Sequence, residues 1–173
     1  MTHRIRSYVG IGSNLDDPVA RVRMGLAALQ GLPGSALVTF SSLYRTTPIG
    51  ITDQPEFVNA VAALDTQLAP TVLLRELLAI ERAAGRRRGT VQGGPRTLDL
   101  DLLLYGDLEI TSADVTIPHP RMHERAFVLA PLFEIAPMLR IPMKGAVSML
   151  LGRCEAQSVV RLLDDSLASV SLP

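Results

Sequence analysis

Residues 98–105 read Leu-Asp-Leu-Asp-Leu-Leu-Leu-Tyr, a pattern that alternates apolar and acidic positions before it becomes apolar. Side chains of a β-strand point to opposite faces of the sheet with a period of two residues. The pattern therefore predicts a strand in which Asp99 and Asp101 share one face, with their Cα atoms about 6.5–7 Å apart. The leucines at the even positions would point to the other face, into a core: Leu98, Leu100, Leu102 and Leu104.

Three further strands and two helices are predicted before this strand. The strands are expected over residues 7–12, 36–44 and 57–64, and the helices begin at Pro18 and Pro70, since proline is favoured at the first helical position. The order strand, helix, strand, strand, helix, strand is that of the ferredoxin-like βαββαβ core. The fold class is therefore α+β, and we expect a largely antiparallel sheet with helices packed on one face.

The residues after this strand have a weaker pattern. We expect a helix over residues 123–136 that is broken or kinked at Pro131, a short helix near Ser148 and a strand near Val159. No stretch resembles a linker between two domains. The prediction is a single domain, residues 1–173, made of a core and a C-terminal extension: about 7–137 and 138–173.

The composition excludes several classes of protein. The chain has 173 residues, 17 basic and 17 acidic side chains and one cysteine, and 47% of its residues are apolar. This is the composition of an ordinary folded domain rather than of a disordered chain or a disulfide scaffold. No apolar run reaches the ~18–20 residues that a membrane helix needs, and no signal-peptide core follows the charged start. We therefore expect a cytoplasmic protein with no membrane partner and no obligate protein partner.

Charge is unevenly distributed in this neutral chain. Residues 82–96 contain five arginines and no acid, and Asp99 and Asp101 follow closely. Sixteen of the 17 basic residues are arginine, whose guanidinium group makes bidentate contacts with phosphate. A general nucleic-acid binder would show an overall basic excess, so no nucleic-acid partner is expected. The pattern instead favours a small polyanion that binds together with a metal ion.

Asp99 and Asp101 are the predicted metal ligands. Two carboxylates on one strand face repel each other, but they are well placed to share one divalent ion or to hold two. Mg²⁺ is usually bound by one or two carboxylates plus substrate phosphates. The alternative is a solvated strand face on which alternate Asp residues have no role. The neighbouring loop favours the metal site, because Arg86, Arg87 and Arg88 are placed to close over a triphosphate.

A pocket for an organic substrate is predicted from a second group of residues. Phe57 and Asn59 lie on one face of a predicted strand, and an aromatic ring beside an amide suits a planar heterocycle with hydrogen-bonding edges. The loop over residues 46–49 and Phe127 are further candidates. Core packing is the alternative role for each phenylalanine.

Several short motifs occur in a fixed order along the chain. They are Gly12-Ser13-Asn14-Leu15, Tyr44-Arg45-Thr46, Asp53-Gln54-Pro55 with Phe57-x-Asn59, Gly-Pro-Arg-Thr-Leu-Asp-Leu-Asp at residues 94–101, Pro118-His119, Arg125-x-Phe127 and Pro131-Leu132. Over about residues 7–137 this ordered set resembles 6-hydroxymethyl-7,8-dihydropterin pyrophosphokinase, an enzyme family of folate biosynthesis.

The resemblance implies a reaction and a set of site residues. The reaction is Mg²⁺-dependent transfer of pyrophosphate from the co-substrate ATP to the hydroxymethyl group of the pterin, with release of AMP. Two Mg²⁺ ions would be bound by Asp99 and Asp101, and Arg86 and Arg96 would join these carboxylates as catalytic residues. The residues that would bind the pterin are Thr46, Thr47, Pro48, Ile49, Phe57, Asn59 and Phe127. Those that would surround ATP are Glu81, Arg88, Arg96, Thr116, His119 and Arg125.

The chain departs from the family pattern at three places. Gln92-Gly93 stands where the family usually has Arg-Trp, so one phosphate-facing arginine and one loop-sealing aromatic are missing. Asp114 stands where many members have Arg, and Pro120 where many have Tyr. Arg87 is a candidate replacement for the missing arginine. We therefore expect weaker ATP binding, with the reaction itself retained.

Two alternative functions remain open at this point. One is a degenerate family member that binds pterin and nucleotide without turnover. The other is a ferredoxin-like RNA-binding module, which would need exposed aromatic residues and a basic sheet face. The paired Asp99 and Asp101 and the zero net charge disfavour the RNA-binding module.

Overall fold

The computed structural model describes residues 3–85 and 94–163. The first half of the fold consists of β1 (Ile5–Ser13), α1 (Pro18–Gln30), β2 (Ser35–Phe40), β3 (Tyr44–Thr46), β4 (Phe57–Thr66), α2 (Pro70–Ala83) and β5 (Asp99–Tyr105). It is followed by β6 (Ile110–Thr111), β7 (Thr116–Ile117), a 3₁₀ helix (Met122–Glu124), α3 (Ala126–Ile135), β8 (Arg140–Ile141), β9 (Gly145–Ala146), α4 (Val147–Gly152) and β10 (Val159–Arg161). In this part of the chain, no helix is long and apolar enough to cross a bilayer.

The main sheet has the strand order β10-β3-β4-β1-β5, and all its pairings are antiparallel. The strand predicted over residues 36–44 is divided into β2 and β3, which pair with opposite halves of β4. At the break, Val61 N–H donates to the Ser41 side-chain oxygen rather than to a backbone carbonyl, at 2.9 Å. The order of β5, β1, β4 and β2–β3 confirms the predicted ferredoxin-like core.

Helices cover both faces of this sheet. Helices α1 and α2 pack on one face, where Leu26 and Leu73 belong to the larger apolar cluster. Helices α3 and α4 pack on the other face, where Leu129 and Val147 join Val61 of β4 in a second cluster. The prediction of helices on one face was therefore wrong, because residues after β5 supply a second apolar layer. This layer covers the sheet face that an RNA-binding module would expose.

A β-bulge alters the predicted alternation in β5. Val9 of β1 lies opposite Leu102, but the adjacent Tyr8 lies opposite Leu104, so Leu103 is an extra residue in the pairing. Leu98, Leu100 and Leu102 lie in the cluster with α1 and α2, as predicted. Leu104 lies with Leu103 in the opposite cluster, so the prediction for Leu104 was wrong. The aspartates precede the bulge, and their alternation is unaffected.

The C-terminal elements agree only in part with the pattern. The short helix near Ser148 and the strand near Val159 are confirmed as α4 and β10. The helix predicted from residue 123 starts at Ala126, because Arg125 has an extended backbone with φ −117° and ψ 108°. Pro131 lies inside α3 and does not end it.

Leu100→Ala is expected to lower the free energy of unfolding by about 2–5 kcal/mol, because it leaves a cavity in the larger cluster. Leu100 is 2% exposed. Urea denaturation of the wild type and the variant measures the difference. A loss under about 1 kcal/mol, with an unchanged slope against urea, would show that the site collapses around the smaller side chain.

Candidate active site

A cavity of about 390 Å³ lies where β1, β3, β4 and β5 meet the start of α3. It is lined by Gly12, Thr46, Thr47, Ile49, Gly50, Ile51, Phe57, Asn59, Arg96, Asp99, Asp101, Arg121, Arg125 and Phe127. A larger and more open depression of about 530 Å³ lies among residues 107–109 and 140–145 and contains none of the predicted site residues. The smaller cavity is therefore the candidate site.

Two carboxylates form one wall of the cavity. Asp99 and Asp101 lie opposite Gly12 and Gly10 of β1 and both line the cavity. Burial, and then the negative charge of Asp99, raise the pKa of Asp101 to about 7, while Arg96 and Arg125 act in the opposite direction. A desolvated carboxylate next to a second carboxylate is strongly stabilised by a cation.

The donor set fits Mg²⁺ rather than a zinc-type metal. Among the residues that the structure describes, no three or more His, Cys, Asp or Glu side chains are grouped to hold a metal. Mg²⁺ needs only one or two protein carboxylates, because water and substrate phosphates complete its shell. Asp99 also contacts the Arg96 guanidinium group, so positive charge already stabilises this carboxylate.

A second part of the cavity, which we call the amide end, contains Asn59 and Phe57 of β4. Asn59 is 6% exposed, and its side-chain NH₂ donates to Thr46 Oγ1 at 2.7 Å, which fixes the orientation of the amide. A Cβ at residue 12 would lie 2.8 Å from Asn59 Oδ1, so Gly12 is required for this close approach. Phe127 of α3 also lines the cavity.

Asn14 connects the carboxylate wall of the cavity to the amide end through contacts in two loops. Its side-chain oxygen accepts from Arg96 N–H at 2.8 Å, and its NH₂ group donates to Gln54 Oε1 and Pro55 O, both at 3.0 Å. One side chain thus joins the segment before the carboxylate strand to the loop before Phe57. The motif containing Asn14 was noted in the sequence, but its role was missed because the contacts span 82 and 41 residues.

Basic side chains form the third part of the site. Arg96, Arg121 and Arg125 line the cavity, and the Arg125 guanidinium carbon lies 5.4 Å from the centre of the Phe127 ring. Burial, and then the charge of Arg125, lower the pKa of His119 to about 4, so this imidazole is neutral at pH 7. Arg121 N–H donates to His119 Nδ1 at 3.2 Å, which assigns the imidazole proton to Nε2.

Comparison with known proteins identifies the family. The family model described as 7,8-dihydro-6-hydroxymethylpterin-pyrophosphokinase (HPPK) matches residues 8–137. The chain belongs to the HPPK family. This confirms the resemblance found in the sequence.

Curated relatives agree with this assignment. The 2-amino-4-hydroxy-6-hydroxymethyldihydropteridine pyrophosphokinase of Pseudomonas aeruginosa is 47% identical over 157 residues, which cover 91% of this chain and 96% of the relative. That of Haemophilus influenzae is 44% identical over 158 residues, covering 91% and 98%.

Solved structures of HPPK-DHPS proteins share the fold. The wild-type Plasmodium falciparum protein, solved with pterin and p-hydroxybenzoate, matches with a TM-score of 0.68 at 12% identity. The match covers 88% of this chain but 43% of that one, so this chain spans less than half the length of that protein.

Some residues that the HPPK resemblance implies lie outside the cavity lining. Glu81 is 2% exposed and accepts from Leu100 N–H of β5 at 2.7 Å. Pro48 is buried, Thr116 is exposed on β7, and His119 is partly buried. Their roles stay predictions. The remaining residues fall outside the described part of the chain: Arg86, Arg87, Arg88, Gln92 and Gly93.

Arg121 is a cavity residue that sequence reasoning missed. It lies two residues after His119, on the same loop. Burial, and then the charge of Arg121, lower the pKa of Arg125, and Arg121 adds a smaller effect of the same sign on the pKa of His119. The available signal was this short spacing, but no strand or helix period assigns a direction to a loop side chain. Ile51 and Gly50 were missed for the same reason.

Proposed function

We propose that this chain transfers pyrophosphate from ATP to the hydroxymethyl group of 6-hydroxymethyl-7,8-dihydropterin, with Mg²⁺ as cofactor and AMP as the second product. The observation that supports this is the composition of one cavity, which is lined by paired carboxylates, three arginines, an amide and two aromatic rings. Membership of the HPPK family supports the same reaction.

The amide end of the cavity is proposed to bind the pterin. Phe57 and Phe127 would pack on the two faces of the ring, and Asn59 with Thr46 would bond its polar edge. Thr47, Pro48 and Ile49 would complete the pocket. Thr46 fixes the amide before substrate arrives, so binding loses little side-chain entropy.

The carboxylate end is proposed to bind the metal and the phosphates. Asp99 and Asp101 would hold two Mg²⁺ ions, which when bound would neutralise phosphate charge and polarise the phosphoryl group under attack. Arg86, Arg88, Arg96 and Arg125 would bind the phosphates, with Glu81, Thr116 and His119 elsewhere around ATP. In the reaction, the pterin hydroxyl oxygen bonds to the β-phosphorus, the bond from that phosphorus to the α,β-bridging oxygen breaks, and AMP leaves. The hydroxyl proton is released to solvent.

The chain is further proposed to act in the cytoplasm, where ATP is available, as one domain over residues 1–173. Pairing of β10 with β3 supports a single unit, because it joins the C-terminal extension to the core sheet. Its proposed partners are the two small-molecule substrates.

The deciding experiment is a turnover assay. The protein is incubated with ATP, Mg²⁺ and hydroxymethyldihydropterin, and AMP is quantified with and without pterin and with EDTA. AMP release that requires both pterin and Mg²⁺ is expected. Pterin binding without AMP release would indicate the degenerate family member, and absence of both would refute the proposal.

Arg121 also lines the cavity, and we propose that it binds an ATP phosphate. Arg121→Gln is therefore expected to raise the Kd of a non-hydrolysable ATP analogue roughly fivefold, since an exposed ionic contact contributes about 1 kcal/mol. The pterin Kd should change less than twofold. Isothermal titration measures both, and Arg153→Gln, an exposed arginine at the end of α4, is the matched control. An ATP-analogue Kd equal to that of the control variant would contradict a phosphate-binding role for Arg121.

A further inference from the structure

A short C-terminal segment, residues 157–162, contacts two walls of the cavity although it lies beyond the family-matched residues 8–137. We propose that Gln157 is a positioning residue that holds the first turn of α3, and with it Arg125 and Phe127, in place for substrate binding. This inference rests on the proposed function, because it assigns the pterin to the Phe127 wall.

Gln157 bonds the backbone on both sides of Arg125. Its Oε1 accepts from Ala126 N–H at 2.8 Å, and its NH₂ group donates to Glu124 O at 2.7 Å. The first N–H groups of a helix have no partner within the helix. The residue before α3, Arg125, makes no side-chain capping bond, so Gln157 satisfies an N–H group that α3 itself leaves unbonded.

The position of Gln157 is itself fixed. Its N–H donates to Cys154 O at 2.9 Å, and Cys154 is 7% exposed in the cluster that contains α3 and α4. The side-chain amide of Gln157 is therefore attached to the packed layer that contains α3 and α4. Because Gln157 bonds the backbone on both sides of Arg125, it restricts the direction of the Arg125 side chain. It restricts Phe127, two residues later, in the same way.

The same segment continues to the opposite wall. In β10, Val159 lies opposite Thr46 of β3, and Leu162 N–H donates to Leu43 O at 2.8 Å. Thr46 in turn accepts the bond from Asn59. The C-terminal segment thus joins the amide wall to the Phe127 wall.

A polar cluster secures this connection. Arg161 donates to Ser42 Oγ at 2.9 Å and lies 3.4 Å from the Glu134 carboxylate of α3. Glu134 also accepts from Tyr44 OH at 2.6 Å. These contacts tie β10, β3 and α3 together, so the two walls have a common support outside the cavity.

The test compares Gln157→Leu with wild type, because leucine has a similar size and makes neither bond. Pterin is titrated by fluorescence in the presence of Mg²⁺ and a non-hydrolysable ATP analogue. We expect the pterin Kd to rise roughly tenfold. Glu155→Ala, an exposed neighbour, is the matched control and should leave the Kd within twofold.

A double-mutant cycle separates positioning from a general structural role. If Gln157 acts through the start of α3, Gln157→Leu should change the pterin Kd less than twofold in a Phe127→Ala background. The proposal would be overturned if Gln157→Leu raised the pterin Kd by the same factor in both backgrounds. It would also be overturned if the single variant left the pterin Kd unchanged. If the wild-type protein binds no pterin, the proposed function fails. If the wild type binds pterin and Gln157→Leu binds it equally well, only the inference about Gln157 fails.

Discussion

Asp101→Ala is expected to lower kcat by roughly 10²–10⁴-fold while the fold is retained. The carboxylate is one of two acidic side chains among the described residues that line the cavity, so its removal would take an oxygen ligand from the proposed metal site, which has few protein ligands. Burial and the charge of Asp99 raise the pKa of Asp101, which means that its charged form is not stabilised by the protein alone. Loss of this charge should therefore cost little folding free energy. Steady-state kinetics over a range of Mg²⁺ concentrations, with a urea denaturation curve, measure both effects.

Asp99→Ala should have a similar effect on kcat, and Asp107→Ala is the control because Asp107 is exposed just after β5. A metal role also predicts that the remaining activity of Asp101→Asn needs more Mg²⁺ than wild type. Wild-type turnover by Asp101→Ala at ordinary Mg²⁺ would show that these carboxylates do not bind the metal that the reaction requires.

Local patterns predicted the core because each of its elements has a clear period or a clear start. Residues 98–102 alternate strictly, and the two predicted helix starts at Pro18 and Pro70 are both found. The position of the aspartates followed from the strand period alone. The strand period also placed Phe57 and Asn59 on one face, and the family resemblance then assigned them, with Thr46, to the pterin. The bond between Asn59 and Thr46 was not predicted.

The errors arose where distant parts of the chain meet. Leu104 was assigned to the wrong face because a bulge depends on pairing with β1, which no local pattern encodes. The second helical layer was missed because the apolar residues of α3 are spread around the helix, and only the exposed sheet face shows where they pack. Arg121 and Asn14 act through loop contacts that likewise have no period.

The second large effect is expected on pterin binding, at the amide end of the cavity. Asn59→Ala is expected to raise the pterin Kd roughly ten- to a hundredfold, because a buried substrate edge that loses its partner costs about 1–3 kcal/mol. The ATP-analogue Kd should change less than twofold, since Asn59 lies on β4 and is separated by β1 from the carboxylates of β5. Separate titrations of the two ligands measure the contrast.

The variant also leaves Thr46 Oγ1 without its bond from Asn59, so a stability loss of about 1–3 kcal/mol accompanies the change. Thr66→Val separates this cost from a direct role in binding. Thr66 is fully buried at the far end of the same strand, where its hydroxyl bonds Ser35 Oγ at 2.7 Å. Thr66→Val should lower stability by a comparable amount and leave the pterin Kd unchanged. A pterin Kd that rises equally in the two variants would mean that β4 supports the site only through its stability, and that Asn59 makes no specific bond to the pterin.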